Sequence, residues 1–123
     1  MRRFSVVHLV IAALILFSVG CSSSNKGKIE GTKWSCRAGV VKGINVPAGI
    51  LKLEFNKDGT MVYRTGPQTF TGKYSLGMGS YVTLNLDREL AGKKIHVEEV
   101  TINGNELSMT DLDGTHITFN KVP

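Results

Sequence analysis

The chain is short of most of what catalysis or metal chemistry would use. It has two cysteines and three histidines, one of which, His8, falls in an apolar leader. No serine has a histidine and an acid suitably placed beside it, and no glycine-rich phosphate loop precedes a helix, so no enzyme is expected. His96 and His116 fall on segments that a meander separates by a third strand. Adjacent strands lie about 4.8 Å apart, so the two rings start roughly 10 Å from each other, too far for a compact site needing three or four converging ligands, although Glu98 can share a face with His96. Asp111-Leu112-Asp113-Gly114 resembles the start of a calcium loop, but its twelfth position would be Val122 instead of a bidentate Glu. Asp58 and Asp113, each followed by glycine, read as turn formers, and no cofactor or metal is expected.

Charge of one sign is also scarce. The net charge is +5, and Arg2 and Arg3 lie in the leader; without them 13 basic residues stand against 10 acidic ones. That excess is too mild for a nucleic-acid partner.

Only one long apolar run occurs, over residues 4–19, broken by Ser5, His8 and Ser18. Behind Arg2 and Arg3 it has the anatomy of a helical export signal spanning 1–20. It is short for a permanent span, which takes about 20 apolar residues. Phe4 and Ser5 do not continue a twin-arginine motif. Ser18-Val19-Gly20-Cys21 resembles the lipobox of bacterial lipoproteins, which implies cleavage before Cys21 and acylation of that residue. Two or more acyl chains hold a protein firmly to a bilayer where one does not. The polar stretch after Cys21 reads as a flexible tether over 21–30. Ser22 instead of Asp after the cysteine favours the outer over the inner membrane of the cell envelope. Cys36 is then left without a partner. It sits two residues from Trp34, so on a strand both point the same way, and an inert buried thiol is expected.

Beyond the tether no helix-length run has apolar spacing of three and four; short segments alternate in period two instead. Strands are predicted over 31–37, 49–55, 60–65, 69–76, 81–87, 95–102, 107–112 and 115–122, with a loop or short helix over 38–48. Leu51, Leu53 and Phe55 share a face, as do Val82, Leu84 and Leu86. Gly72 suggests a bend. The phase slips between Val97 and Val100, which predicts a bulge at Glu98-Glu99. Asp113-Gly114 predicts a two-residue hairpin turn. Eight short strands in sequence order hide both edges by closing into an up-and-down antiparallel barrel over 31–123, a flattened sandwich being the alternative.

The order of features resembles the lipocalin-like domains of small bacterial envelope lipoproteins. The carrying residues are Ile29-Glu30-Gly31-Thr32-Lys33-Trp34, Leu53-Glu54-Phe55-Asn56-Lys57-Asp58-Gly59-Thr60, Thr71-Gly72-Lys73-Tyr74, and 107–115. The resemblance implies an all-β barrel that either is filled by side chains or holds one small molecule. In the second case a small apolar or amphipathic ligand would meet Trp34, Met61, Tyr63, Phe70, Tyr74 and Leu84. In the first the domain would be structural or bind an envelope protein. Trp34-Ser35-Cys36-Arg37-Ala38-Gly39 also loosely resembles the opening of membrane-bound lysozyme inhibitors. The expected partners are therefore the lipid bilayer through acylated Cys21, and a small ligand or an envelope protein.

Overall fold

The computed structural model describes residues 23–123; the expected leader and Cys21 lie outside the described residues. Ten strands follow one another: β1 (Thr32–Cys36), β2 (Gly39–Val41), β3 (Ile44–Val46), β4 (Leu51–Phe55), β5 (Thr60–Thr65), β6 (Gln68–Leu76), β7 (Tyr81–Leu90), β8 (Lys93–Asn103), β9 (Glu106–Asp111) and β10 (His116–Val122). Eight close into an antiparallel barrel in the order β1-β10-β9-β8-β7-β6-β5-β4, and β2 pairs only with β3. The barrel expected from period-two alternation is thus present and closed. Its last joint is β1 against β10, with Trp34 opposite Lys121 and Cys36 opposite Phe119.

Alternation is the reason the sheet closes with one dry face. Along β6 the inward positions are Phe70, Gly72 and Tyr74, and along β7 they are Val82, Leu84 and Leu86. Trp34, Leu53, Phe55, Met61, Phe70, Leu107 and Phe119 are all buried in one core cluster. Cys36 belongs to it as a free thiol; its sulfur receives the Leu51 N–H at 3.3 Å. Gly72 is more than a bend. A Cβ there would lie 2.2 Å from the Asn85 carbonyl oxygen and 2.8 Å from the Leu86 Cα, so β6 and β7 approach closely only because the side chain is missing.

Three local expectations are corrected. Residues 38–48 form neither an open loop nor a helix but the β2–β3 hairpin, turned by Lys42 and Gly43 with φ of 50° and 77°. Two positive φ values in a two-residue turn match strand twist. The strands escape pattern reading because they are three residues long and carry Val40 and Ile44 exposed. No bulge occurs at Glu98-Glu99, which pair in register with both neighbours; the irregularity lies across the hairpin, between Asn85 and Leu90 on β7. The phase slips because Glu98 itself occupies an inward position, leaving Val97 on the other face. The connection at Asp113-Gly114 takes four residues, 112–115, because the Asp111 carboxylate accepts the Asp113 and Thr115 N–H groups and holds a wider turn.

The stretch 23–30 is built into the barrel end where β4–β5, β6–β7 and β8–β9 turn. The Ser24 N–H donates to the Gly79 carbonyl at 2.9 Å. Asn25, 2 % exposed, donates its amide to the Ser80 and Val100 carbonyls at 3.2 and 3.0 Å. Ile29 is fully buried. From Ser23 onward, the residues expected as tether are therefore part of the packed domain and close this end.

Candidate functional site

The opposite end is not filled. There the β7–β8 hairpin runs past its neighbours: β6 pairs with β7 only as far as Gly72 opposite Leu86, and β9 pairs with β8 only as far as Asp111 opposite Glu98. The hairpin tip turns through Ala91 and Gly92, both at positive φ. Arg88 steadies the arm on one side, its guanidinium 3.9 Å from the Phe70 ring centroid and donating to the Thr69 carbonyl.

Beneath this arm lies a chamber of about 160 Å³. Its apolar wall comes from Leu84, Leu86, Met109 and Ile117, with Tyr63 across from them and Leu90 and Ala91 of the arm above. Its polar groups are His96, Glu98, Asp111 and Thr115. Beside it, sharing Ala91, His96, Glu98 and Asp111, lies a shallow slot of about 300 Å³ between β8 and the 112–115 turn, lined also by Lys42, Lys93, Ile95 and Leu112. The slot exists because β9 ends at Asp111 and offers residues 93–97 no partner on that side.

Glu98 is the unusual member. It is 8 % exposed, and its carboxyl takes part in no hydrogen bond among the described residues; no buried polar side-chain atom there lacks a partner, so its oxygens meet the open space of the chamber. Burial, reinforced by the nearby charges of Asp111 and Asp113, pushes it up to about 7. Burial likewise pushes the Tyr63 phenol up to about 12, with the charge of Glu98 adding to the effect. The other polar groups are engaged. Asp111 caps its turn; the His96 Nε2–H donates to the Lys93 carbonyl at 2.9 Å. Lys42 reaches from the β2–β3 hairpin to Asp113 at 2.7 Å. The Lys42 ammonium and the N–H and hydroxyl of Thr115, all directed at the Asp113 carboxylate, hold it well below the usual carboxylate range.

The residues expected to line a cavity divide. Tyr63 and Leu84 do line the chamber. Trp34, Met61 and Phe70 are fill, each at most 2 % exposed, with the Trp34 indole N–H donated to Thr32 Oγ1 at 2.8 Å. Tyr74 points to the closed end, where its hydroxyl donates to the Asn56 carbonyl at 2.7 Å and its ring meets Phe55 edge-on at 5.1 Å. Bulk alone does not distinguish a wall from a core. Glu98 escapes sequence reasoning for a different reason: the one legible signal, the broken alternation from Ile95 to Val100, has two readings, an extra residue or a polar group facing inward.

His116 stays outside, bonded to Thr110 at 2.9 Å. Among the described residues no three His, Cys, Asp or Glu side chains are grouped as a metal site. Comparison with protein-family models, with curated proteins and with solved structures finds no match to this chain.

Proposed function

We propose that this chain is an exported bacterial lipoprotein, acylated at Cys21, whose barrel takes a small amphipathic molecule into the chamber under the β7–β8 arm. The carrying observation is the contrast between an interior packed solid with Trp34, Phe55, Phe70 and Phe119 and a chamber, lined by apolar side chains, that a carboxyl shares. Binding pockets have this character, a mostly apolar wall with few polar groups that orient the ligand. A cavity near 150 Å³ accommodates a molecule the size of benzene, so the occupant is small and extends into the slot if it is longer.

The lipobox-like Ser18-Val19-Gly20-Cys21 supports the anchor. Ser23, bonded to Gly79 at the closed end, is only two positions beyond Cys21, a reach of at most about 7 Å. An acylated Cys21 then holds the closed end against lipid and turns the slot away from it. The exposed Met78 and Tyr81 at that end, with Lys26 and Lys28 on the docked segment, are residue types that suit a lipid interface.

Intact-mass analysis of the membrane fraction tests the anchor: acyl mass on Cys21 is expected, and Cys21→Ser should release the protein from membranes. Native mass spectrometry of the gently solubilised protein tests the chamber. A retained small adduct supports the reading; no adduct, together with no small amphipathic compound that raises the melting temperature, would sink it.

A second reading has its own observation. Val40, Ile44, Ile95 and Leu112 are 58 to 78 % exposed, and all lie on the hairpins and turn around the slot. Such a patch also suits an envelope protein partner, which a pull-down compared between wild type and Leu112→Ser would reveal.

A further inference from the structure

We infer that the chamber selects a small organic cation, an ammonium or amidinium on a short carbon stem, with the charge against the Glu98 carboxylate and the stem among Leu84, Leu86, Met109 and Ile117. This rests on the small-molecule reading above and names the chemistry of the ligand.

Three observations carry it. Glu98 is more than nine-tenths buried, lines the chamber and has no hydrogen-bond partner among the described residues. No buried side-chain polar atom among the described residues lacks a partner, so the Glu98 oxygens open onto the chamber, and an occupant that displaces solvent there must itself partner the carboxyl. The charged groups on the chamber wall are of one sign: Asp111 is the direct cross-strand neighbour of Glu98, and no Lys or Arg lines the chamber among the described residues. Lys42 and Lys93 stand in the slot, and Lys42 is already paired with Asp113. Finally, most of the rest of the wall is aliphatic or thioether, from Leu84, Leu86, Leu90, Met109 and Ile117, which suits a carbon stem.

The remaining groups facing Glu98 are Tyr63 from β5 and His96 from β8; the imidazole Nε2 is committed to the Lys93 carbonyl. None of them competes as a partner for a ligand cation. A cation bound there favours the ionised carboxylate. Glu98 is pushed up to about 7 in the free protein, so binding at neutral pH expels a proton.

The test uses the full chain in detergent with three four-carbon probes: n-butylammonium, n-butanol and butyrate. Butylammonium is expected to raise the melting temperature and the other two, at the same concentration, to leave it unmoved. Calorimetry at pH 7 in two buffers of different ionisation enthalpy should detect release of roughly half a proton per cation bound. In Glu98→Gln the affinity for butylammonium should fall at least tenfold. Butanol binding as well as butylammonium, an unaffected Glu98→Gln, or cation binding without proton release would each overturn the cation assignment while leaving a small-molecule chamber standing. Failure of all three probes to bind would overturn the cation assignment, and, if native mass spectrometry also finds no adduct and no small amphipathic compound raises the melting temperature, the small-molecule reading as well. The proton count is taken on the unaltered protein, so it holds however the variant folds.

Discussion

Glu98 on β8 and Asp111 on β9 are direct cross-strand partners, and both line the chamber inside an otherwise solid barrel. Like charges directly opposite on a ladder destabilise it. The Asp111 side chain accepts two N–H groups from its own turn. Glu98 accepts none, and burial pushes it up to about 7.

That asymmetry makes stability depend on pH. Below about 4.5, its ordinary value, Glu98 is protonated whether folded or not and contributes nothing. Between there and about 7 the unfolded chain ionises first, so stability falls as pH rises, and above 7 the loss levels off. Screened by solvent in the chamber, the full effect is on the order of 1 to 3 kcal/mol. Glu54, Asp58 and Asp113, held low by their partners, act in the opposite sense, but their stabilisation is lost only as pH falls below that window. Thermal melts at pH 5 and pH 8 should show a lower midpoint at pH 8, and Glu98→Gln should remove most of that difference. Equal midpoints for the wild type would contradict the buried, unpartnered carboxyl.

Asn25 distinguishes a docked segment from a tether. Its amide satisfies two carbonyls from the β6–β7 turn and β8 at the closed end. Asn25→Ala strips partners from buried groups and should cost about 1 to 3 kcal/mol in urea denaturation. A free tether would tolerate the change at no cost.

Gly72→Ala should be worse than its size suggests. The added methyl meets backbone at 2.2 Å, which no rotamer can relieve, so β6 and β7 must separate. A loss of roughly 2 kcal/mol or more is expected. Hydrogen exchange should quicken first at Asn85 and Leu86. An unchanged exchange pattern would argue that the two strands are not held this close.

Phe119 lies fully buried in the middle of β10, next to the seam that closes the barrel on β1. Phe119→Ala removes about 3 to 5 kcal/mol. Leu84→Ala, whose side chain already borders the chamber, should cost less than a core leucine such as Leu53→Ala, because part of its surface has no neighbour to lose. Similar costs at Leu84 and Leu53 would mean the chamber is not there.

The sequence alone determined the class of fold, the eight barrel strands to within a few residues and the burial of Trp34 and Cys36. Period-two alternation is a local property: each strand's inward row, Val82-Leu84-Leu86 most plainly, is written in consecutive residues and needs no partner to be read. Tertiary structure alone decided three other things. It turned the supposed tether into the plug of one end, because Asn25 and Ile29 become buried only once the turns around them exist. It folded 38–48 into a hairpin whose exposed valine and isoleucine give no pattern. It left a chamber beside Glu98, because where β6 and β9 stop short of the β7–β8 arm depends on strand lengths compared across the barrel. Whether an inward side chain touches another or faces a void is set by what stands on the far wall, and no single strand carries that information.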